Sequence, residues 1–395
     1  MKSGSFHWQP GRKLNILRAV MKTLRLMLMA ATMLLLFAPM NSISASVVAR
    51  GVQFIPFKSF GSFTKTQGTN TNEFILTSPE ILTRIRWDEL IVSWNVAMTA
   101  GDALRVEVRA IYPDRTTKWY TMGRWSTDPA KQRRESVRRQ KDKDGDVDTD
   151  TLLLKQSAER VQVRVTLSSG GKQKPKLKFL SLSLLDSTTT PEPGPPNRKA
   201  WGKTIDVTER SQMAYKNGDV LCSPTTISML LSHWSQQLGR PGLDCGVPEV
   251  VAGVYDPVWG GTGNWVFNTA YAGSFRWMRA YTARLSDVSE LEDFIAQEIP
   301  VGLSVCYNRL RGKSREPSGH LVVCVGFTEE GDAIINDPGT RKNVRKVFPR
   351  ANLIDAWAYS KNSVYLVYPV NTLLPPDRFG EWESLTAKRA VRFAP

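Results

Sequence analysis

From Arg50 to Leu185 apolar residues recur at every second position. Leu104, Val106, Val108 and Ala110 alternate with Arg105, Glu107 and Arg109; Val161, Val163, Val165 and Leu167 alternate with Gln162, Arg164 and Thr166; Leu180, Leu182 and Leu184 alternate with serines. A period of two is the mark of a strand, and Leu90–Val96 and Lys118–Gly123 read the same way. Strands at this density, without a long amphipathic helix, predict an all-β sandwich over residues 46–186. The segment STTTPEPGPPN then carries four prolines. It favours extended backbone and cannot pack a core, so residues 187–199 read as a linker. Beyond it helices mix with apolar strands, predicting an α+β domain over 200–370 and a tail over 371–395. Ile227, Leu230, Leu231 and Trp234 give one buried helix face. The run GHLVVCVGF reads as a central strand, with Gly319 admitting close backbone approach. Ala333–Asp337, after a turn at Glu330–Gly331, reads as its hairpin partner.

Composition adds the compartment. Arg12, Lys13, Arg18, Lys22 and Arg25 precede an apolar run from Leu26 to Met40, and small residues follow at Ser42, Ser44, Ala45 and Ser46. The run is about 15 residues, short of the roughly 20 that span a bilayer. Residues 1–45 therefore read as a signal peptide, with Met21 as an alternative start. The protein is expected to be secreted or extracytoplasmic, in the cell envelope, and to meet membrane only through the leader. Of 395 residues, 41% are hydrophobic and 23% charged, the balance of a globular chain long enough for two domains. The net charge of +16 is uneven: residues 46–186 hold 24 basic and 16 acidic side chains, residues 187–395 hold 23 and 21. Such a β module fits an anionic cell-wall polymer; a merely solubilising surface is the plainer alternative. Nucleic acid is not an expected partner.

Four cysteines, Cys222, Cys245, Cys306 and Cys324, form no CxxC pair and are too few for a disulfide scaffold. One bridge among the last three, or three small buried hydrophobes, are the two readings. The alternating aspartates Asp142 to Asp150 invite a calcium loop, but its glycine falls fourth and its twelfth residue is Leu153, against the EF-hand pattern. A solvated turn fits better, and neither metal nor cofactor is expected.

Chemistry concentrates in LCSPTTISMLLSHW. Pro224 fits the first turn of a helix, with Ser223 or Cys222 at the cap. Cys222 then stands where unpaired N–H groups favour thiolate over thiol; an inert buried cysteine is the competing reading. A thiolate needs a base, and the chain has three histidines. His7 lies in the leader. His233 follows on the same helix, about 16 Å along its axis, out of reach. His320 is left. Asp337, in AIINDPG, would lie beside His320 in the hairpin, fixing its tautomer and stabilising imidazolium. Asn336 could orient the ring instead, and Asp337 could merely open the turn before Pro338. Gln212 could supply an oxyanion N–H with the backbone of Cys222, or be an ordinary loop residue.

The order Gln212, Cys222, His320, Asp337 resembles the bacteriocin-processing type of cysteine peptidase and its peptidase family thirty-nine-like relatives. The stretches SQMAYKNGDVLCSPTTISML, GGTGNWVFNTAYA, GHLVVCVGF and INDPG carry the resemblance, over about Asp206–Pro369. It implies a papain-like domain with Gln212 in the oxyanion site, Cys222 as nucleophile, His320 as base and Asp337 orienting it. Many relatives read Cys-Gly-Pro where this chain has Cys222, Ser223 and Pro224. No ATP-binding or transporter segment follows, so an exporter role is not implied. A β module before such a domain looks like secreted bacterial members. The expected activity is hydrolysis of an amide, in a protein, peptide or peptidoglycan peptide, through an acyl-enzyme. A wall-peptide amidase or acyl transferase would use the same groups. The alternative of another class is a catalytically silent cell-surface or carbohydrate-binding protein. In WGGTGNW, Trp259 and Trp265 fit cleft lining and core packing equally, and Asn264 fits a helix cap.

Overall fold

Two strands much longer than usual set the shape of the first half. The computed structural model describes, apart from Met1, residues 50–171 and 173–382; the expected leader and the end of the tail lie outside the described residues. The strands are β1 (Val52–Phe57), β2 (Thr64–Gln67), β3 (Glu73–Thr77), β4 (Ile81–Ala97), β5 (Ala103–Ile111), β6 (Tyr120–Trp125), β7 (Gly145–Asp148), β8 (Thr151–Ser168) and β9 (Lys176–Leu185). All belong to one sheet ordered β1-β9-β4-β8-β3-β2, with β5 joining β8 to β6 and β7 pairing β8. The first residues of β8 pair with β4 and β7, and its last residues with β3 and β5. Register shifts between Leu82, Trp87 and Glu89 bend the long strands. The expected all-β module forms as one continuous sheet curled into a half-barrel. Trp87, Trp94, Tyr120 and Trp125 fill it, each fully buried.

The second half is mixed α/β. Its elements are β10 (Lys203–Thr204), α1 (Cys222–Leu238), α2 (Val247–Val254), α3 (Trp265–Ser274), β11 (Met278–Arg284), α4 (Val288–Ala296), β12 (Val301–Cys306), α5 (Tyr307–Leu310), β13 (Gly319–Phe327), β14 (Ala333–Asn336), β15 (Arg345–Phe348), α6 (Arg350–Ala358) and β16 (Ser363–Pro369). The strands form a seven-stranded sheet ordered β11-β16-β12-β13-β14-β15, with β10 on β13. Helix α1 is buried on every side from Ser223 to Ser235, not on the single face its apolar spacing predicts. Small hydroxyl residues make this possible, because most find an internal partner: Thr225 bonds the Leu221 carbonyl, Ser228 that of Cys245, Ser232 the Thr208 hydroxyl. The expected hairpin of β13 and β14 forms with a shift between Cys324 and Gly326. The glycine that admits close approach is not Gly319, around which a Cβ would meet nothing within 4 Å. It is Gly326, where a Cβ would lie 2.1 Å from the Lys203 carbonyl oxygen.

The two sheets meet along the free edge of β11. Asn95 on β4 donates to the Ala280 carbonyl (2.7 Å) and accepts from its N–H (3.1 Å), and Ser93 accepts from Thr282 N–H (2.9 Å). An exposed edge strand is open to unwanted pairing; here side chains of the β module close it. The prolyl linker is extended but fixed: Gly194 N–H donates to Asp287, and Asn197 N–H to Glu292 (2.8 Å), both on or beside α4.

Candidate active site

Cys222 is the first residue of α1. The residue before it, Leu221, holds the N-cap position and offers no side-chain cap, so the cap is neither Ser223 nor Cys222. The first-turn N–H groups stay available, and the Cys222 sulfur takes hydrogen bonds from Ser223 and Leu321 N–H. The Ser223 hydroxyl meets the buried Tyr365 hydroxyl at 2.8 Å, which anchors the serine beside the helix start.

Strand register brings the remaining groups to this end of the sheet. On β13, Gly319 pairs with Cys306 and His320 with Val305, so the residue that follows β12, Tyr307, lies beside the His320 ring. Asn336 pairs with Val323, and Asp337 continues past it. His320 Nε2 and Asp337 Oδ1 are 2.8 Å apart, and the ring also interacts with Cys222. The imidazole thus bridges thiol and carboxylate. Asp337 Oδ1 accepts from Gly339 N–H (2.9 Å) and Oδ2 from the Tyr307 hydroxyl (2.7 Å), with Lys346 Nζ at 4.0 Å. The Tyr307 and His320 ring centroids are 4.2 Å apart, and Arg311 covers Tyr307 at 3.8 Å.

Charge follows from these contacts. Burial alone would lower His320, but hydrogen bonds and charge from Asp337 and Cys222 outweigh it and leave the ring raised to about 9. Burial alone would raise Cys222; the His320 contact and two N–H donors bring it below an ordinary thiol. Asp337 opposes burial in the same way through His320, Tyr307 and Gly339, and is held below the usual carboxylate range. The three shifts all run toward thiolate, imidazolium and carboxylate.

Gln212 opens a short helical turn, Gln212–Ala214, and is 2% exposed. Its backbone N–H donates to the Pro338 carbonyl (3.0 Å), tying it to the residue after Asp337. A Cβ on Gly218 would lie 2.2 Å from the Gln212 carbonyl, so only glycine lets the two turns before Cys222 close on each other. Among the described residues Gln212 Oε1 has no hydrogen-bond partner. Asn336 is committed elsewhere, donating to the Val207 carbonyl and accepting from Arg345. His233 bonds the Asp206 carbonyl at 2.8 Å, away from the thiol. Tyr307, Gly339 and Lys346 went unread in the sequence, because strand register and a turn place them.

Other candidates fall outside this cluster. Asp142 accepts from Tyr120, Asp144 N–H and Gly145 N–H, Asp144 meets Arg115, and Asp150 accepts from Trp265 N–H. The aspartates point to separate protein partners. Cys245, Cys306 and Cys324 are free and buried; burial pushes Cys245 up to about 11 and Cys324 to about 12. Asn264 caps α3, accepting from Phe267 N–H. A cavity of about 680 Å³ beneath residues 370–378 is lined by Phe294, Tyr368 and Trp382 among others, and by none of Cys222, His320 or Asp337.

Residues 204–365 match the model of the Peptidase C39 like family, and residues 59–184 that of the Peptidase C39 N-terminal domain. No curated protein matches the chain. A solved structure described as carbohydrate-binding modules from the β-sandwich superfamily is similar at 11% identity and a TM-score of 0.15. It spans 34% of this chain and 56% of its own, a likeness too slight to carry an argument.

Proposed function

We propose that this chain, whose residues 204–365 match the Peptidase C39 like family and residues 59–184 its N-terminal domain, is an exported cysteine hydrolase that cleaves amides through Cys222, His320 and Asp337. One observation carries the reading: His320 Nε2 and Asp337 Oδ1 are 2.8 Å apart, and the ring's interactions with Asp337 and Cys222 raise the imidazole to about 9, while that with Cys222 lowers the thiol. In this reading the Cys222 thiolate attacks the carbonyl carbon, and charge gathers on its oxygen. The backbone N–H of Cys222 and the Gln212 amide stabilise that oxyanion. His320 gives its proton to the departing amine as the C–N bond breaks, leaving a thioester. It then takes a proton from water, which attacks the thioester, and the acid and free thiol are released. The substrate is a polypeptide or a peptidoglycan peptide, and the leader directs the enzyme to the cell envelope. The excess of basic groups on the β module favours docking on an anionic wall polymer.

The test is limiting alkylation of the protein from Ser46 onward with iodoacetamide, from about pH 5 to 9, with mapping of the labelled cysteines. Cys222 should react fast below pH 7 and lose that advantage in His320→Ala. A Cys222 that titrates like a free thiol near 8.5 in both proteins would falsify the assignment and leave the binding-protein reading.

A further inference from the structure

The loop WGGTGNW seats one aromatic ring on two of its own glycines, and it is hydrogen-bonded to the segment that leads into Cys222. Asp256, fully buried, organises it: Oδ1 accepts from Val258 and Trp259 N–H (3.1 Å each), and its carbonyl from Gly260 and Gly261 N–H (2.8 and 3.2 Å). The six-membered ring of Trp259 rests on Gly261 and Gly263, where a Cβ at either position would come within 2.5 Å of it. The glycines are therefore the floor of an indole seat, not merely a source of mobility. Trp259 nevertheless remains 43% exposed.

The β module fixes this loop from behind. Ser136 N–H donates to Asp256 Oδ2 (3.1 Å). Arg134 donates to the carbonyls of Ala252 (2.6 Å), Gly253 (2.8 Å) and Tyr255 (3.1 Å) at the end of α2. In front, Thr262 donates to the Val220 carbonyl (3.3 Å), two residues before Cys222. Val220 is itself 60% exposed. Two exposed apolar side chains thus lie on the two segments that this bond joins, Val220 being two residues before Cys222 in the chain. A surface aromatic held in a single pose loses little freedom on binding, which is what makes such residues anchors.

We propose that Trp259 and Val220 form a subsite for a bulky apolar side chain next to the scissile amide, and that Arg134 and Ser136 make the β module part of that specificity. The proposal rests on Cys222 being the nucleophile. The Thr262–Val220 bond, which ties the loop to the segment leading into Cys222, selects substrate as the occupant, and the exposed apolar side chains select its chemistry.

The experiment separates the two claims. Peptidyl electrophiles carrying Leu or Phe beside the reactive group are compared with otherwise identical probes carrying Gly or Asp. The rate of Cys222 labelling by each is divided by its rate with iodoacetamide, in the wild type, Trp259→Ala, Trp259→Phe and Arg134→Ala. The wild type should prefer the apolar probes about tenfold, in the range a hydrophobic pocket provides. Trp259→Ala should lose most of this preference, Trp259→Phe should keep part, and Arg134→Ala should weaken it, while iodoacetamide rates stay unchanged. Equal rates for all probes in the wild type, or a preference that survives Trp259→Ala, overturns the subsite with the nucleophile intact. An iodoacetamide profile of an ordinary thiol overturns the reading beneath it.

Discussion

Asp337 is held on four sides: His320 and Gly339 at one oxygen, Tyr307 and Lys346 at the other. Each contact has its own signature in pH. Asp337→Asn keeps an acceptor for the ring but removes the charge that helps raise His320 to about 9. The alkaline limb of kcat/KM should then move down, toward the roughly 6.5 of free imidazole, and kcat should drop by on the order of 10²-fold, within the usual scale of acid–base catalysis. A limb that stays near its original pH would show that the carboxylate does not set the ring. Tyr307→Phe acts on the other oxygen. It takes a donor from a carboxylate 1% exposed, at a cost of about 1–3 kcal/mol, so Asp337 should rise and the acid limb with it, while KM is unchanged. If thermal stability falls but the pH profile does not move, Tyr307 is structural only. Cys222 and His320 could be read from the sequence because a helix start and the elimination of two other histidines point to them. Tyr307 could not, since only the pairing of β12 with β13 brings it to the ring.

At the scale of elements, the tip between β7 and β8 reaches the start of α3. Asp150, 6% exposed, accepts from Trp265 N–H at 2.6 Å. Burial raises its carboxyl to about 6, with the Trp265 and Thr151 hydrogen bonds only partly opposing. The native chain thus holds this proton more tightly than the unfolded chain, whose carboxyl titrates near 3.9. Below that pH both states are protonated and the group is neutral to stability. As pH rises from about 4 to 6 the unfolded state ionises first, so stability falls, and the deficit persists above 6. Asp150→Asn keeps an acceptor for the Trp265 N–H without the charge. It should raise Tm at pH 8 and leave it nearly unchanged at pH 4; lower Tm at both would mean that the ionised Asp150 carboxylate stabilises the start of α3. The same region shows what patterning conceals. Alternation revealed the strands of the first half and the prolines revealed the linker. Ser93 and Asn95, however, read as outward polar positions on β4, yet they are 0% and 1% exposed. A polar side chain facing a free strand edge has the same pattern as one facing water. Helix α1 misleads likewise, because its hydroxyl residues look solvated and are buried, most of them bonded to carbonyls or other hydroxyls.

These contacts make the two halves depend on each other for stability. Arg284, 3% exposed, pairs with Glu89 across the seam at 2.7 Å. Tyr281 stacks on Phe54 at 4.7 Å, and Phe267 packs between Trp94 and Trp125 at 6.3 and 5.3 Å. Removing the β module would leave a buried guanidinium without its carboxylate, an open β11 edge and three aromatic faces in water. Breaking one buried ion pair costs about 3–5 kcal/mol, a large part of the roughly 5–15 kcal/mol that holds a typical domain together. The protein should therefore unfold in one calorimetric transition whose calorimetric and van't Hoff enthalpies agree. Residues 200–382 produced alone should melt lower and aggregate. Asn95→Ala should lower that single transition as a whole, since it opens the β11 edge without touching Cys222. Two resolved transitions in the intact chain, with Asn95→Ala moving only one, would mean that the seam is a docking contact between independent domains. In that case the β module could not position the Trp259 loop through folding alone, and any preference for apolar probes would have to survive its removal.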